Sequence, residues 1–303
     1  MIDYSRLNEL IKERGITKTE LGNTLGISSR TIAKIAKGEK LSKKTLGRIG
    51  CYLGCSPDDL YREISDNPLL QILREEKDAG ISGGIYHELQ VRMTYNSNHI
   101  EGSKLTEDQT RLIFETHTID VGDGVPVDDI IETVHHFKAI DYCIDMADDQ
   151  LTEDIVKELH RILKNDTKDA ELPWFAVGEY KNRANMVGGK ETTAPEKVEA
   201  EMHKLIDEYV SLEFVNVEDI IAFHAEFEKI HPFQDGNGRV GRLIAFKECL
   251  KNNIVPFIIE DSKKAFYYRG LDAWNTEKGY LTDTCLDGQD TVKALMKVLG
   301  IEV

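Results

Sequence analysis

Apolar residues recur at three- and four-residue spacing along most of the chain after residue 68, a pattern that predicts helices. The clearest helices are predicted over four ranges: Val127–Met146, Thr152–Leu163, Pro195–Leu212 and Val217–Ile230. The stretch Tyr180–Thr193 interrupts the pattern, because it is rich in Gly, Asn and Thr and therefore predicts a loop or a short hairpin. We expect an all-α fold with one small β-hairpin.

The first 64 residues contain shorter amphipathic segments separated by turns. Thr17 and Glu20 have the spacing of a capping box, which predicts the start of a helix. Ser28 is placed to cap a second helix over Ser29–Lys37. Two further helix starts are predicted, after Ser42 and after Ser56-Pro57.

Charge is distributed unevenly along the chain, which has a net charge of −16. Residues 1–64 contain 12 basic and 8 acidic residues, a net charge of +4, so the remainder carries −20. Contact with nucleic acid is therefore expected only at the basic N-terminal segment. Any phosphate bound by the acidic remainder must be held at a local site.

The sequence contains no apolar stretch of the kind that a membrane span or a secretory signal requires. We therefore expect a cytoplasmic protein without a membrane partner. The cysteines do not occur at zinc-ligand spacing, so we expect reduced thiols that bind no metal. They are Cys51, Cys55, Cys143, Cys249 and Cys285.

One run of twelve residues, HPFQDGNGRVGR at positions 231–242, combines several groups that phosphate chemistry uses. His231 follows a predicted helix and supplies a base. Gly236-Asn237-Gly238 predicts a loop at the start of the next helix. Its backbone N–H groups and the helix dipole together form an anion site.

The same run supplies a metal ligand and two cations. Asp235 is an oxygen ligand suited to Mg²⁺ that bridges phosphates. Arg239 and Arg242 lie three residues apart, so both are expected to project from one face of the helix beside the loop. The run therefore predicts a phosphoryl- or nucleotidyl-transfer site.

The N-terminal segment TKTELGNTLGISSRTIAKIAKG resembles the Cro/cI-type helix-turn-helix family, and the resemblance covers about residues 1–64. It implies that the second helix of the motif enters the major groove of double-stranded DNA. The residues that would face DNA are Ser28, Ser29, Arg30, Thr31 and Lys34. A small helical docking domain with solvated lysines is the alternative. The polar stretch Ser65-Asp66-Asn67-Pro68 places the domain boundary after residue 64.

The run at 231–242 matches, at every defining position, the Fic-family signature HPFxDGNGRxxR, and the resemblance extends over about residues 69–290. We interpret residues 65–303 as a Fic domain. The resemblance implies an adenylyltransferase, which transfers AMP from Mg-ATP to a Ser, Thr or Tyr hydroxyl of a target protein and of itself. Related death-on-curing toxins carry lysine at the position of Gly238 and transfer the γ-phosphate, so glycine here resembles the AMP-transferring branch.

The resemblance also implies roles for residues of this run. His231 would be the general base that takes the proton of the target hydroxyl. Asp235 would hold Mg²⁺ against the phosphates. Asn237 and the neighbouring glycine N–H groups would bind the α-phosphate, and Arg239 the β- and γ-phosphates. The full set implied to bind nucleotide in this run is Gly236, Asn237, Gly238, Arg239, Gly241 and Arg242.

Two flanking segments resemble other parts of the family's site. Residues 183–193 resemble the flap, an edge strand that pairs with the main chain of the target, and Met186, Val187 and Gly188 would lie beside the nucleotide. The family's usual arginine before this segment is Lys181 here. Residues that resemble the adenine side are Tyr267, Tyr268 and Asn275. For the two tyrosines, an aromatic core position is the alternative.

The segment Ser97–Gly102 matches the family's inhibitory motif, Ser/Thr-x-x-x-Glu-Gly/Asn, on a helix predicted near residues 94–102. Gly102 should end this helix, which places Glu101 at the negative end of the helix dipole, where a carboxylate is disfavoured. We therefore expect Glu101 to pair with a cation, and Arg242 is the candidate. Such a pair would remove the arginine that the γ-phosphate of ATP needs. The alternative is a surface glutamate at a frayed helix end.

Two classes of function follow from these patterns. One is a protein adenylyltransferase autoinhibited by Glu101. The other is a DNA-binding transcriptional regulator whose Fic domain acts mainly as a sensor of nucleotide or of a partner. A third interpretation keeps the enzyme but changes the donor or reverses the reaction. Each is compatible with a homo-oligomer, and none identifies the target protein.

Overall fold

The computed structural model describes residues 2–63, 67–120 and 124–301. The chain divides into two compact units, Met1–Asp66 and Asn67–Val303. The boundary that the sequence predicts, between residues 64 and 65, lies outside the described residues. Asn67 caps the first helix of the second unit, because its side-chain oxygen accepts hydrogen bonds from the N–H groups of Leu69 and Leu70.

The described part of the first unit is built on four short helices: α1 (Ser5–Glu13), α2 (Lys18–Leu25), α3 (Ser29–Ala36) and α4 (Lys43–Leu53). The predicted capping box is present, since Thr17 Oγ1 accepts from the Glu20 N–H and the Glu20 carboxylate accepts from the Thr17 N–H. Ser28 and Ser42 cap the helices that follow them. The core of the unit comes from all four helices and includes Leu7, Leu21, Ile35, Leu46 and Ile49.

Two features of the first unit differ from the sequence prediction. The helix predicted after Ser56 is a single 3-10 turn, Pro57–Leu60, because the chain becomes extended again at Tyr61. Strand β2 (Arg62–Glu63) then pairs antiparallel with β1 (Ile2–Asp3). The sequence pattern does not predict this ladder, because two-residue strands are too short to produce a detectable alternation.

The described part of the second unit contains ten α-helices: α5 (Pro68–Ala79), α6 (Ile85–Ile100), α7 (Glu107–Thr116), α8 (Val127–Asp145), α9 (Glu153–Lys164), α10 (Pro195–Val210), α11 (Val217–Ile230), α12 (Asn237–Lys251), α13 (Lys264–Ala273) and α14 (Gly279–Val298). The four helices that the periodicity predicts are α8 to α11, and their ends agree with the prediction to within two residues. The mostly helical fold class is confirmed.

Between α9 and α10 lies the expected hairpin, formed by β3 (Met186–Val187) and β4 (Lys190–Glu191). Gly188 (φ 56°) and Gly189 (φ 79°) form its two-residue turn, and positive φ at both positions is the requirement of a type I′ turn. Met186 and Val187 are 63% and 47% exposed. The hairpin therefore presents two apolar side chains to solvent.

Helix α12 is the centre of the second unit. It packs against α6, α8, α9 and α11, and its side chains are buried on every face. A helix surrounded in this way brings its N-terminal N–H groups, and the positive end of its dipole, to a point enclosed by other helices. The motif at 231–242 lies at that point.

Among the described residues, no helix combines the length and the apolar character needed to cross a bilayer. The five cysteines are free thiols. A cytoplasmic location stays a prediction.

Candidate functional site

His231 directly follows α11, where the chain turns into the loop that carries the rest of the motif. Its backbone is left-handed (φ 53°), which is uncommon for a residue with a side chain, and its N–H donates to the Phe227 carbonyl at 2.9 Å. The ring Nδ1 lies 3.4 Å from the carbonyl oxygen of Glu228. Because a carbonyl oxygen can only accept, this contact favours a proton on Nδ1 and leaves Nε2 bare.

The imidazole of His231 is neutral near pH 7. Its side chain is 16% exposed, and burial, together with the charge of Lys181, lowers its pKa to about 4. A neutral imidazole with a bare Nε2 is the form that can accept a proton from a hydroxyl.

The side chain of Asn237 closes the loop that follows His231. Its Oδ1 accepts from the Phe233 N–H at 2.8 Å, and its Nδ2 donates to the Phe233 carbonyl at 2.9 Å. Phe233 stacks on His160 with ring centroids 4.0 Å apart. Since Asn237 is buried by these contacts, it offers an anion its backbone N–H and not its side chain. Gly236 (φ 80°) turns the chain into α12.

A network of charges surrounds Asp235. Its Oδ2 lies 2.8 Å from Lys164 Nζ and 3.2 Å from Arg239 Nη2. Glu132 joins both cations, at 2.7 Å from Lys164 Nζ and 2.5 Å from Arg239 Nη1, and Asp169 lies 2.9 Å from Lys164 Nζ. The sequence prediction does not include Lys164 or Glu132. Both lie on amphipathic helices, where a charged residue normally indicates a solvated face.

The carboxylate of Asp235 is ionised and accessible. Burial would raise its pKa, but Arg239 and Lys164 outweigh burial and lower it to about 2. Its side chain is 51% exposed. Mg²⁺ in nucleotide sites takes one or two carboxylates, and phosphates and water complete its coordination. Asp235 therefore fits a magnesium ligand.

Arg242 is buried one turn further along α12 and contacts α6. Its Nη2 lies 2.7 Å from Glu101 Oε1 and 2.9 Å from the Ser97 carbonyl, and its Nε lies 3.0 Å from Ser97 Oγ. The expected ion pair between Glu101 and Arg242 is therefore present. Arg239 contacts other anions, so the two arginines have separate partners although their spacing predicts a common face.

Glu101 caps the C-terminal end of α6, as predicted, although this helix begins earlier than expected, at Ile85. Gly102 (φ 103°) follows it and turns the chain away. The Glu101 carboxylate lies against the first turn of α12, because a Cβ atom added to Gly238 would overlap Glu101 Oε1. Glu101 thus occupies space beside the helix N-terminus, where the sequence predicts phosphate.

Two residues that the sequence assigns to nucleotide binding are buried where α12 packs against its neighbours. A Cβ added to Gly241 would lie 2.8 Å from His224 Nδ1 and 3.0 Å from Glu228 Oε1, so Gly241 permits close contact between α12 and α11. Tyr267 is 1% exposed, and its hydroxyl lies 2.8 Å from His224 Nε2. The Tyr267 hydroxyl also accepts from Arg242 Nη1 at 3.4 Å. The assignment of both residues to nucleotide binding stays a prediction.

The other two residues assigned to the adenine side are accessible. Tyr268 is 42% exposed, and its hydroxyl donates to the Ile100 carbonyl at 3.3 Å, next to Glu101. Asn275 is exposed in the turn that follows α13.

Lys181 joins the hairpin to the catalytic motif. Its backbone N–H donates to the Pro232 carbonyl at 2.8 Å, and its buried Nζ lies 2.8 Å from Asn185 Oδ1 and 2.6 Å from Thr192 Oγ1. Asn185 Nδ2 in turn donates to the Phe233 carbonyl at 3.1 Å. The lysine that replaces the family's arginine therefore holds the base of the hairpin next to His231.

In the first unit, the N-terminal end of α3 is open to solvent. Ser28, Ser29 and Arg30 are exposed, and Thr31 is half-buried. Lys34 is 41% exposed and lies 3.8 Å from Glu39, a weak surface pair. Four of the side chains that the sequence assigns to DNA contact therefore lie at the accessible N-terminal end of α3, and Lys34 lies in its last turn.

Comparison with known proteins agrees with both resemblances. Residues 150–248 match the model of the Fic/DOC family, and residues 6–66 match the model of the Cro/C1-type HTH DNA-binding domain. A protein adenylyltransferase Fic from Nematostella vectensis is 27% identical over 192 residues, which are 62% of this chain and 44% of that protein. A protein adenylyltransferase Fic from Drosophila willistoni is 32% identical over 196 residues, 62% of this chain and 37% of that protein. The chain thus spans less than half the length of these relatives.

Solved structures show the same fold. A Fic domain-containing signaling protein from Bacteroides thetaiotaomicron has a TM-score of 0.59 and 24% identity, over 76% of this chain and 94% of that one. A Fic family protein from Desulfovibrio desulfuricans has a TM-score of 0.60 and 19% identity, over 79% and 78% of the two chains. The chain therefore has a Fic fold, preceded by a Cro/C1-type helix-turn-helix domain.

Buried neutral histidines make the second unit sensitive to acid. Burial lowers the pKa to about 3 for His136, His160 and His224, and to about 4 for His231. The unfolded chain binds protons at these side chains near pH 6.5, whereas the folded chain does not. The free energy of unfolding should therefore fall as pH is lowered from 6.5 towards 4, by up to about 1.4 kcal/mol per pH unit for each histidine.

A His160→Gln variant should lose one such contribution, so its unfolding free energy should depend less steeply on pH over this range. Urea unfolding at a series of pH values measures the slope. His203→Gln is the matched control, because His203 is 69% exposed. An unchanged slope in His160→Gln would show that His160 is protonated in the folded chain.

Proposed function

We propose that the chain is a protein adenylyltransferase that transfers AMP from Mg-ATP to a Ser, Thr or Tyr hydroxyl of a target protein and of itself. The observation that carries this proposal is the pairing of a neutral His231, whose Nε2 is bare, with the N-terminus of the buried helix α12. One supplies a base and the other an anion site. The names of the relatives support the same reaction.

In the proposed reaction, the target hydroxyl oxygen attacks the α-phosphorus of ATP. A new P–O bond forms, the bond from the α-phosphorus to the oxygen that bridges to the β-phosphate breaks, and pyrophosphate leaves. The hydroxyl proton passes to Nε2 of His231. The backbone N–H groups of Gly236, Asn237 and Gly238 stabilise the added negative charge. Asp235 would hold Mg²⁺, which neutralises phosphate charge.

The hairpin is proposed to bind the target segment. Met186 and Val187 are exposed on a two-residue strand, and Lys181 holds the hairpin beside His231. An extended target segment that pairs with this edge would bring its hydroxyl to the base.

The donor specificity is testable with labelled ATP. We expect the α-phosphate label, and not the γ-phosphate label, to become attached to protein.

His231→Ala should lower the rate on the order of 100- to 10,000-fold while nucleotide binding persists, because binding depends on the loop and the arginines. Transfer of the γ-label would contradict the proposed reaction, and a normal rate in His231→Ala would contradict the role of the base.

We further propose that Glu101 inhibits transfer. Its carboxylate pairs with Arg242 at 2.7 Å and lies against Gly238. Arg242 also donates to two atoms of Ser97, so its Nε and Nη2 are engaged, and its Nη1 donates to the Tyr267 hydroxyl at 3.4 Å. The γ-phosphate of ATP would need this guanidinium and the space beside it. ATP therefore binds productively only after Glu101 moves away.

Glu101→Gly should raise the rate of AMP transfer at least tenfold, a change that corresponds to about 1.4 kcal/mol. Adding Arg242→Ala to Glu101→Gly should cancel the gain. The gain depends on Arg242, which the loss of Glu101 frees to bind the γ-phosphate. Glu107→Gly is a matched control, since Glu107 is 43% exposed and its contact is a surface pair with Arg111. If the rate of transfer is unchanged in Glu101→Gly, Glu101 does not inhibit the reaction and is an ordinary surface residue.

DNA binding by the first unit is a second proposed function, supported by the exposed N-terminal end of α3 and by the match to the helix-turn-helix model. If Arg30 and Lys34 contact phosphates, affinity should fall steeply with salt. Each alanine variant should bind more weakly and reduce the salt slope by about 1. Lys12→Ala, exposed on α1, is the control.

Selection from random duplex DNA at low salt provides the measurement. If the first unit binds no duplex, it does not bind DNA, and a small helical docking domain is the interpretation that remains. ATP-dependent changes in DNA binding without AMP transfer would instead favour the regulator whose Fic domain senses nucleotide.

A further inference from the structure

Lys164 is a buried lysine to which the proposed reaction gives no role. It is the last residue of α9, and its side chain is 2% exposed. Its Nζ contacts three carboxylates, those of Glu132 at 2.7 Å, Asp235 at 2.8 Å and Asp169 at 2.9 Å. Because an ammonium group has three N–H donors, each carboxylate can accept one hydrogen bond. A cation of the protein therefore already contacts Asp235, the expected magnesium ligand.

The side chain of Lys164 is fixed beneath the catalytic loop. A Cβ added to Gly236 would lie 3.6 Å from Lys164 Cδ, which is ordinary contact, so the lysine stem packs against the loop. One turn earlier on α9, His160 stacks on Phe233 of the same loop. Lys164 is therefore held beside Asp235 by packing as well as by charge.

The carboxylate of Asp235 reaches solvent, whereas the two cations that it contacts do not. Its side chain is 51% exposed, against 2% for Lys164 and 4% for Arg239. Both cations contact its Oδ2. With Glu132 and Asp169, these side chains form a cluster of two cations and three carboxylates with a net charge of −1. Without Lys164 the net charge would be −2, so this lysine halves the charge that a free divalent cation meets.

Glu132 allows Asp235 to exchange its partners without stranding a buried charge. It contacts both cations, at 2.7 Å from Lys164 Nζ and 2.5 Å from Arg239 Nη1. If Asp235 turns to a metal, each cation keeps Glu132, so neither becomes the unpaired buried charge that destabilises a fold. The arrangement fits a carboxylate that exchanges a protein cation for a metal.

The phosphates of ATP would change the balance of charge at this point. Mg²⁺ loses its water reluctantly and is usually bound by one or two carboxylates together with phosphates of the substrate. Lys164 and Arg239, which oppose a free divalent cation, attract phosphate, as does the N-terminus of α12. The same cations that weaken the binding of free metal therefore favour metal that is bound to phosphate.

We propose that Lys164 occupies Asp235 in place of the metal, so that Asp235 binds Mg²⁺ together with ATP and not before it. Lys164 is then a positioning residue that sets the order of binding. The proposal rests on the proposed function in that it takes Asp235 as the metal ligand. The alternative is a purely structural ion pair, which predicts that mutation of Lys164 lowers stability without a change in metal affinity.

The test measures the binding of Mn²⁺ to the full chain without nucleotide, from the electron paramagnetic resonance signal of the free ion. The unaltered chain should bind Mn²⁺ weakly at this site. Lys164→Met should bind it about tenfold more tightly or better, since removing one unit charge near a divalent cation has about this effect even in the dielectric of water. Adding Asp235→Asn to Lys164→Met should cancel the gain, which would locate the bound ion.

Lys247→Met is the matched control, because Lys247 is also fully buried and pairs with Glu248 at 2.7 Å. This variant should be less stable than the unaltered chain and should bind Mn²⁺ with the same affinity. Lys164→Gln, which keeps one donor, takes the place of Lys164→Met if urea unfolding shows that Lys164→Met is not folded. A folded Lys164 variant with the Mn²⁺ affinity of the unaltered chain overturns the proposal.

The midpoint of urea unfolding is a second readout that needs no activity, because a ligand that binds only the folded chain raises it. In the unaltered chain, Mg²⁺ with a non-hydrolysable ATP analogue should raise the midpoint at a concentration at which Mg²⁺ alone does not. In Lys164→Met, Mg²⁺ alone should raise it. Stabilisation of the unaltered chain by Mg²⁺ alone that is lost in Asp235→Asn would contradict the order of binding. If the predicted changes occur but Glu101→Gly transfers no AMP, the proposed function fails and the role of Lys164 stands.

Discussion

The site depends on one constraint: the guanidinium of Arg242 is 8% exposed and must have an anion beside it. Leaving a buried charge without its partner costs on the order of 3–5 kcal/mol. Glu101 supplies the anion at 2.7 Å, and in the proposed reaction the γ-phosphate of ATP supplies it instead. The two anions compete for one cation, so exchange between them avoids the unpaired state. Inhibition of this kind requires only a displaced helix end and no change of fold.

The position of α12 explains why so much charge collects at one point. The helix is buried on all sides, so its N-terminal N–H groups and its dipole act in an environment with little water. The carboxylate of Glu101 lies beside that positive end, against Gly238. On the other side of the loop, Lys164 and Arg239 neutralise Asp235 and Glu132. A magnesium ion that binds Asp235 would enter a network whose charges are already paired.

The sequence predicts those parts of the site that depend on local spacing. The motif at 231–242 is contiguous, and the end of α6 at Glu101 follows from Gly102 and the helix dipole. The pairing of Glu101 with Arg242 follows because a carboxylate at that pole needs a cation. The burial of Gly241 and Tyr267 could not be predicted, since it depends on how α11, α12 and α13 pack, which no local pattern contains.

Other residues are found only from tertiary contacts. Lys164 and Glu132 are 32 residues apart and contact each other through the packing of α8 on α9, and Lys164 also contacts Asp235. As charged residues on amphipathic helices, they are indistinguishable from a solvated face. Glu228 lies three residues before His231 in the sequence, but its burial depends on the close packing of α12 at Gly241. The short β1–β2 ladder joins residues about 60 apart without any pattern in between.

In the proposed inhibition, Glu101 and the γ-phosphate of ATP bind the same guanidinium, that of Arg242. Crystal structures of the unaltered chain and of Glu101→Gly, each with Mg²⁺ and a non-hydrolysable ATP analogue, would show which anion Arg242 contacts. The quantity to measure is the distance from the Arg242 guanidinium to the nearest γ-phosphate oxygen. We expect hydrogen-bond distance in Glu101→Gly and, in the unaltered chain, an Arg242 that still contacts Glu101. A γ-phosphate bound away from Arg242 in the variant would contradict the proposed inhibition.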